Sequence, residues 1–350
     1  MFSSYRSFLK TFFILVSLAL VIIVFSVAGK IRNDGIIAIA RNVKMSLVQM
    51  KIKILEKTGL AFDLMTCKAF NVRTAVIQMS GGLADQIGWY GYGLLLHERF
   101  HVSVEYEYEE PVAGSDAIPH LPRTLQLKDA FPSIEFREHD SRLKDPHARI
   151  FRHRNLVADE ARKYGLSVLK NKFCPIDVDT CKDLLNDINA HKSCAVHVRR
   201  DDYARGTGGT HPTQAEFFIL AVRKIHSLDP NVKFFFFSDD CGWVRERILP
   251  ALDGDIACRV CDQNDGSKGY LDLYCISRCD HVICSLGGFG YAGRLFSYKE
   301  GWYLQGVASD EYHFSWSLKM YDGEKIGEEI EYGRRIDVRE LGKTAKTAKN

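Results

Sequence analysis

The residues most suited to chemistry are two adjacent arginines, Arg199 and Arg200, in the segment His197-Val-Arg-Arg-Asp-Asp-Tyr203. They follow the apolar run Cys194 to Val198, which reads as a buried strand. Open α/β sheets bind ligands beyond the C-terminal ends of their strands. Arginine there suits phosphate, because its planar fork makes bidentate bonds and stays protonated. Neighbours on an extended strand point to opposite faces. One guanidinium would therefore reach a ligand while the other braces the loop, for example on Asp201 or Asp202. A surface ion-pair cluster is the alternative reading of the same spacing.

A second constellation is Phe234 to Phe237 followed by Ser238, Asp239 and Asp240, a strongly apolar strand that ends in a hydroxyl and two carboxylates. The acids have three open roles: holding a divalent cation through nucleotide phosphates, capping the helix that begins near Gly242, or binding base or ribose. A third is Ser285-Leu-Gly287-Gly288-Phe289-Gly290, a turn whose backbone N–H groups can cradle phosphate at a helix start. Gly81, Gly82 and Gln86 lie in a similar turn, Gly81-Gly-Leu-Ala-Asp-Gln86. Candidates for a general base are Asp85, Asp202 and His211, the last in the glycine loop Gly206 to Pro212, which could close over a ligand.

The elements that must position these groups alternate. Ala75 to Met79 reads as a strand, Trp89 to Leu96 as a helix, and Val102 to Tyr108 as a half-buried strand with period two. A proline-rich section follows. Further strands are expected at Cys194–Val198, Val232–Phe237 and His281–Ser285, with helices at Ala215–Ile225, Gly242–Leu249 and Tyr270–Arg278. Alternation of this kind implies a parallel sheet covered by helices on both faces. Two such sets, separated near residues 175–190, imply an α/β protein of two Rossmann-like lobes.

The chain has 350 residues and a formal net charge of +3, too slight for a nucleic-acid footprint spread over the surface. From Thr11 to Gly29 there is no charged residue, and at about 1.5 Å per residue this run spans a hydrocarbon core of about 30 Å. It reads as an uncleaved anchor, with a signal peptide cleaved after Ala28 as the rival. Lysine-rich helical spacing through Val43, Leu47, Met50 and Ile54 reads as a stem, or as a basic helix on the lipid surface. The ten cysteines suit an oxidising lumen, as disulfides or buried thiols. Zinc at Cys258, Cys261, Cys275 and Cys279 is the sharper alternative. The organisation expected is a tail (1–10), an anchor (11–29), a stem (30–72), an N-terminal lobe (73–180), a C-terminal lobe (190–340) and a basic tail (341–350).

Taken together, these motifs resemble the α-1,2-fucosyltransferases that use GDP-fucose. The resemblance covers roughly residues 74–305. It rests on Gly81 to Gln86, His197 to Tyr203, Phe234 to Asp240, and Cys279-Asp-His281 through Gly290, in that order. It implies a GT-B fold whose C-terminal lobe holds GDP-fucose, with inverting transfer to a glycan hydroxyl such as galactose 2-OH. It also implies no obligatory metal, and a lumenal body on a type II Golgi membrane anchor. The donor residues it implies are His197, Arg199, Arg200, Ser238, Asp239, Asp240, Ser285, Gly287, Gly288, Phe289, Gly81, Gly82 and Gln86. Departures from the family pattern fall at Ala84, Asp85, Asp201, Gly288 and Ala292. They keep two other readings open: an inactive relative that only binds, and a transferase using another GDP-sugar.

Overall fold

The computed structural model describes residues 72–108, 124–140, 147–151, 159–204, 211–264 and 266–341. The tail, the anchor, all of the stem before Val72, Cys67, loop residues 205–210 and residues 342–350 lie outside the described residues. All described residues belong to one compact unit, Leu64–Asn350. Among them no helix is long and apolar enough to cross a membrane.

The chain begins with β1 (Thr74–Met79), α1 (Leu83–Phe100) and β2 (Ser103–Tyr108), followed by the short α2 (Leu127–Ala130), β3 (Ala148–Phe151) and α3 (Asp159–Leu169). The first sheet runs β2-β1-β3, all parallel. β1 is central, so Ala75, Val76 and Ile77 on both of its faces are fully buried, which is why it reads as an apolar run rather than an alternation. α1 extends beyond the expected Trp89–Leu96 and stops at His101, which takes a left-handed conformation and returns its N–H to the His97 carbonyl.

α1 and α3 cross with almost no space between their backbones. A Cβ on Gly91 would lie 2.2 Å from the Ala161 carbonyl oxygen, and one on Gly165 would lie 2.5 Å from that of Ile87. Only glycine at both positions allows this approach.

The second part contains α4 (Lys182–Ala190), β4 (Lys192–Val198), α5 (Asp201–Ala204), α6 (Ala215–Leu228), β5 (Val232–Ser238), α7 (Cys241–Arg247), β6 (Cys258–Cys261), α8 (Gly269–Arg278), β7 (His281–Cys284), α9 (Gly288–Phe296), β8 (Gly301–Ala308), β9 (His313–Tyr321) and β10 (Ile326–Asp337). Its sheet order is β10-β9-β8-β7-β4-β5-β6. Phe234 to Phe237 are all buried because β5 is covered on both faces. On one face α6 packs Phe217, Phe218, Val222 and Ile225 into a core with Val196, Phe234, Phe236, Ile283, Leu304 and Phe314. Burying each such side chain contributes about 1.5–3 kcal/mol before the entropy of ordering is counted.

The expectation of a wholly parallel sheet is corrected here. β6-β5-β4-β7-β8 are parallel, but β8, β9 and β10 form an antiparallel meander. Its sequence hides it, because β9 and β10 are only half-covered and β10 is crowded with charge, including Glu328, Glu329, Glu331, Arg334 and Arg335.

Candidate functional site

From β4 the chain moves outward to β5 and β6, then returns to place β7 on the other side of β4. The switch point of the sheet therefore lies between the C-terminal ends of β4 and β7, where α/β sheets open a crevice for ligands. Arg199 and Arg200 follow β4, and Ser285 and the glycine turn follow β7.

Three strand ends are laced together beneath the arginines. Ser285 Oγ accepts the Arg199 backbone N–H at 3.0 Å and faces the His197 carbonyl at 3.4 Å, while the Ser285 N–H donates to that carbonyl at 3.1 Å. Ser238 Oγ donates to the Val198 carbonyl at 2.8 Å and accepts the Asp240 N–H at 3.0 Å. Asp240 Oδ1 accepts from Trp243 N at 2.9 Å and so caps α7. Of the three roles open to the acids, Asp240 takes the cap.

Asp239 is the brace. Its Oδ1 accepts the Arg200 backbone N–H at 2.8 Å, and its Oδ2 lies 2.9 Å from Arg199 Nη1, an ion pair without the alignment of a hydrogen bond. Among the described side chains, the acid that reaches Arg199 is Asp239, just after the neighbouring strand β5. The side chains of Asp201 and Asp202 lie outside the described residues. The Arg200 guanidinium instead lies 4.0 Å over the Trp243 ring, and its Nε has no hydrogen-bond partner. Burial draws Arg200 below the usual arginine range, opposed by Asp240 and Asp239. A cation on an aromatic face and short of hydrogen-bond partners is poised for an anion.

His197 stacks on Phe289 with ring centroids 5.1 Å apart, and its enclosed Nδ1 has no partner. Burial, and then Arg199, lower its pKa to about 3, so the ring is neutral near pH 7. It supports the glycine turn from below: a Cβ on Gly290 would approach its Nδ1 to 3.4 Å. Gly287 has φ +142°, a conformation glycine accommodates, and no side chain caps α9 behind it. The first-turn N–H groups of α9 are thus left for solvent or an anion. Tyr203 Oη lies 3.8 Å from the Cβ position of Gly287.

Gln86 has other work. Gln86 is fully buried; its Nε2 donates to the carbonyls of Gly81 (3.1 Å) and Thr124 (2.8 Å), and its Oε1 accepts from the N–H groups of Gln126 and Leu127. Its amide is spent, so its expected place among the donor-binding residues is corrected to a buried brace. Gly82 opens α1 and its carbonyl receives the N–H groups of Asp85 and Gln86. Sequence reading missed Gln126, which continues this chain of bonds: its Nε2 donates to the Gly266 carbonyl and its Oε1 accepts from Tyr270 N at the start of α8. A solitary glutamine in a polar loop gives no signal of such a role.

Asp85 sits in the first turn of α1 with a half-exposed side chain, 3.7 Å from Arg162 Nη2. The neighbouring Ala84 would lie 3.2 Å from a Cβ on Gly288, and Ala292 is buried in α9. Small residues at 84 and 288 therefore accommodate one another. His211 is exposed; nothing in the described residues brings it to the glycine turn.

The described cysteines are free thiols, most of them buried, and no described group of three His, Cys, Asp or Glu residues could hold a metal. The zinc reading finds no such cluster: Cys258 and Cys261 lie on β6, Cys275 on α8 and Cys279 just after it. No disulfide forms among the described residues.

The solved structures of NodZ from Bradyrhizobium include an α-1,6-fucosyltransferase co-crystallised with GDP, 14% identical, with a TM-score of 0.45 over 72% of this chain and 98% of that one. A point mutant of Arabidopsis thaliana FUT1 in complex with GDP is 12% identical, with a TM-score of 0.37 over 66% of this chain and 70% of that one. In sequence, residues of this chain are 27% identical over 131 positions to an α-1,2-colitosyltransferase of Escherichia coli, which is 36% of this chain and 43% of that relative. The chain thus spans less than half the length of this curated relative. The sequence pattern of glycosyl transferase family 11 matches residues 148–325, which include the arginine pair, the Asp239 brace and the glycine turn, and the chain belongs to that family.

Proposed function

We propose that this chain is an inverting glycosyltransferase that moves L-fucose from GDP-fucose to a hydroxyl of a glycan acceptor, with galactose 2-OH as the position. The observation that carries this reading is the presentation of Arg199 and Arg200 at the switch point between β4 and β7, in a chain of family 11. Fucose and the 2-OH rest on the motif resemblance.

In this reading the two sheets are the lobes of a GT-B enzyme, residues 73–180 and 190–340, and the donor diphosphate lies between Arg200 and the uncapped start of α9. Arg199, held on Asp239, fixes the loop that carries Arg200. As the sugar–phosphate bond breaks, negative charge grows on the departing diphosphate and meets cations already in place, which lowers the barrier. Of the three base candidates, Asp85 is beside the glycine turn, so it takes the acceptor hydroxyl's proton. The arginines do the charge-neutralising work, so no metal is obligatory. A type II Golgi membrane placement rests on the Thr11–Gly29 sequence.

The relative's name motivates a second reading, transfer of colitose or another sugar from its nucleotide. Incubating the protein with labelled GDP-fucose on a glycan array, with and without chelator, separates the two. Chelator-insensitive fucosylation lost in Arg200→Ala is expected. GDP binding without any fucosyl transfer would leave the second reading or an inactive relative, and no GDP binding would sink the proposal.

A further inference from the structure

Arg162 belongs to none of the motifs, yet it stands at the start of the glycine turn. It lies on α3, and the Gly91–Gly165 crossing presses α3 against α1, while α9 of the second sheet touches both helices. Arg162 Nη1 lies 4.0 Å from the Cβ position of Gly288, the first residue of α9, and its Nε is enclosed without a hydrogen-bond partner. Its side chain is 29% exposed, and its ion pair is the loose 3.7 Å contact with Asp85.

Electrostatically this is an odd place for a cation. The N-terminus of a helix carries about half a positive charge, so a guanidinium beside it is repelled rather than held. Here a guanidinium and an uncapped helix start converge, and Asp85, its ion-pair partner among the described residues, is half-exposed and too distant for a good hydrogen bond. An anion between them would relieve the repulsion and satisfy both sets of N–H donors.

We propose that Arg162 is a donor-binding residue, a third cation that contacts the diphosphate of a nucleotide from the first-sheet side, opposite Arg200. The inference rests on the nucleotide-sugar reading above. It assigns Asp85 a second task, holding Arg162 in place before the donor arrives. It also makes donor binding depend on both sheets, since the cations come from α3 and from the end of β4.

The test is calorimetric binding of GDP and of GMP to the whole protein and to Arg162→Gln, Arg162→Lys and Arg200→Gln. Because a cation at the diphosphate favours the extra phosphate, the ratio of GDP to GMP affinity falls about tenfold in R162Q and is partly restored in R162K. A cooperative thermal melt shows that the variants are folded. If R162Q does not fold, Arg162→Met, which keeps the aliphatic stem, carries the comparison. A ratio within about twofold of wild type in the folded uncharged variant, alongside loss of GDP binding in R200Q, overturns the role of Arg162 and leaves the donor reading standing. Failure of the wild-type protein to bind GDP removes the donor reading itself, and this inference with it.

Discussion

Ser285 Oγ accepts the backbone N–H of Arg199 at 3.0 Å, so the residue just after β7 holds the residue just after β4. The Ser285 side chain, which the family resemblance places among the donor residues, is 1% exposed and its hydroxyl is spent on the loop that presents the arginines. Ser285→Ala leaves the Arg199 N–H unpaired. It is expected to lower stability by about 1–2 kcal/mol and to weaken GDP binding through a looser Arg200. Denaturant unfolding and GDP titration read the two effects, and unchanged GDP affinity would show that the loop keeps its shape without this bond.

Asp239 bears on both arginines, through the Arg199 side chain and the Arg200 backbone. Asp239→Asn keeps an acceptor but removes the charge that balances Arg199. The expected result is a fall of about a hundredfold in kcat/KM, with a smaller loss of stability. Steady-state kinetics with a thermal melt as control would detect a purely structural Asp239 by showing stability falling while kcat/KM at low temperature held.

Gly91→Ala reverses the usual sign of a helix substitution. Alanine in an open helix position stabilises by about 1 kcal/mol, but at Gly91 the added carbon would lie 2.2 Å from the Ala161 carbonyl oxygen and 2.7 Å from Gly165. Overpacking of this kind costs about 1–3 kcal/mol, and it pushes α3 and Arg162 away from the glycine turn. A melt at or above the wild-type temperature would contradict the close crossing.

His281 gives the protein an acid-sensitive limb. Its ring is buried, its Nδ1 accepts the Trp302 N–H at 3.0 Å, and burial, then Lys192, lower its pKa to about 4 from 6.5. The unfolded chain therefore binds a proton that the folded state refuses. The stability contributed is present above pH 6.5 and is lost as pH falls towards about 4, a change on the order of 3 kcal/mol. His281→Gln removes the titration while leaving an acceptor within reach of Trp302. Denaturant midpoints between pH 7.5 and 4.5 should fall less steeply in the variant; equal slopes would assign the acid limb to other groups, His197 first among them.

The strands most plainly read from sequence are those buried on both faces, although the half-buried β2 is also legible from its alternation. β1, β4, β5 and β7 stand where the apolar runs put them, because a central parallel strand has no wet face to dilute its composition. The meander β8 to β10 was not legible: its half-covered faces and the charged residues of β10 blur the period of two. The place of the arginine pair could be read for the same reason as the central strands, since a buried run marks the strand whose end carries the two cations. Gln126 and Arg162 could not, because each is one polar residue among many until a helix from another part of the chain comes to rest beside it.

Residue types and spacing by themselves determined the α/β class and put the arginine pair and the glycine turn at the ends of β4 and β7, because burial and charge are local properties of a strand and its end. The division of labour at that edge was decided only by the tertiary structure. Asp239 braces Arg199; Asp240 caps a helix; Ser285, Ser238 and Gln86 spend their polar atoms inside; Arg162 arrives from another helix. Each of these is a pairing across strands or between layers. Such a pairing depends on register and helix crossing, which distant parts of the chain set together.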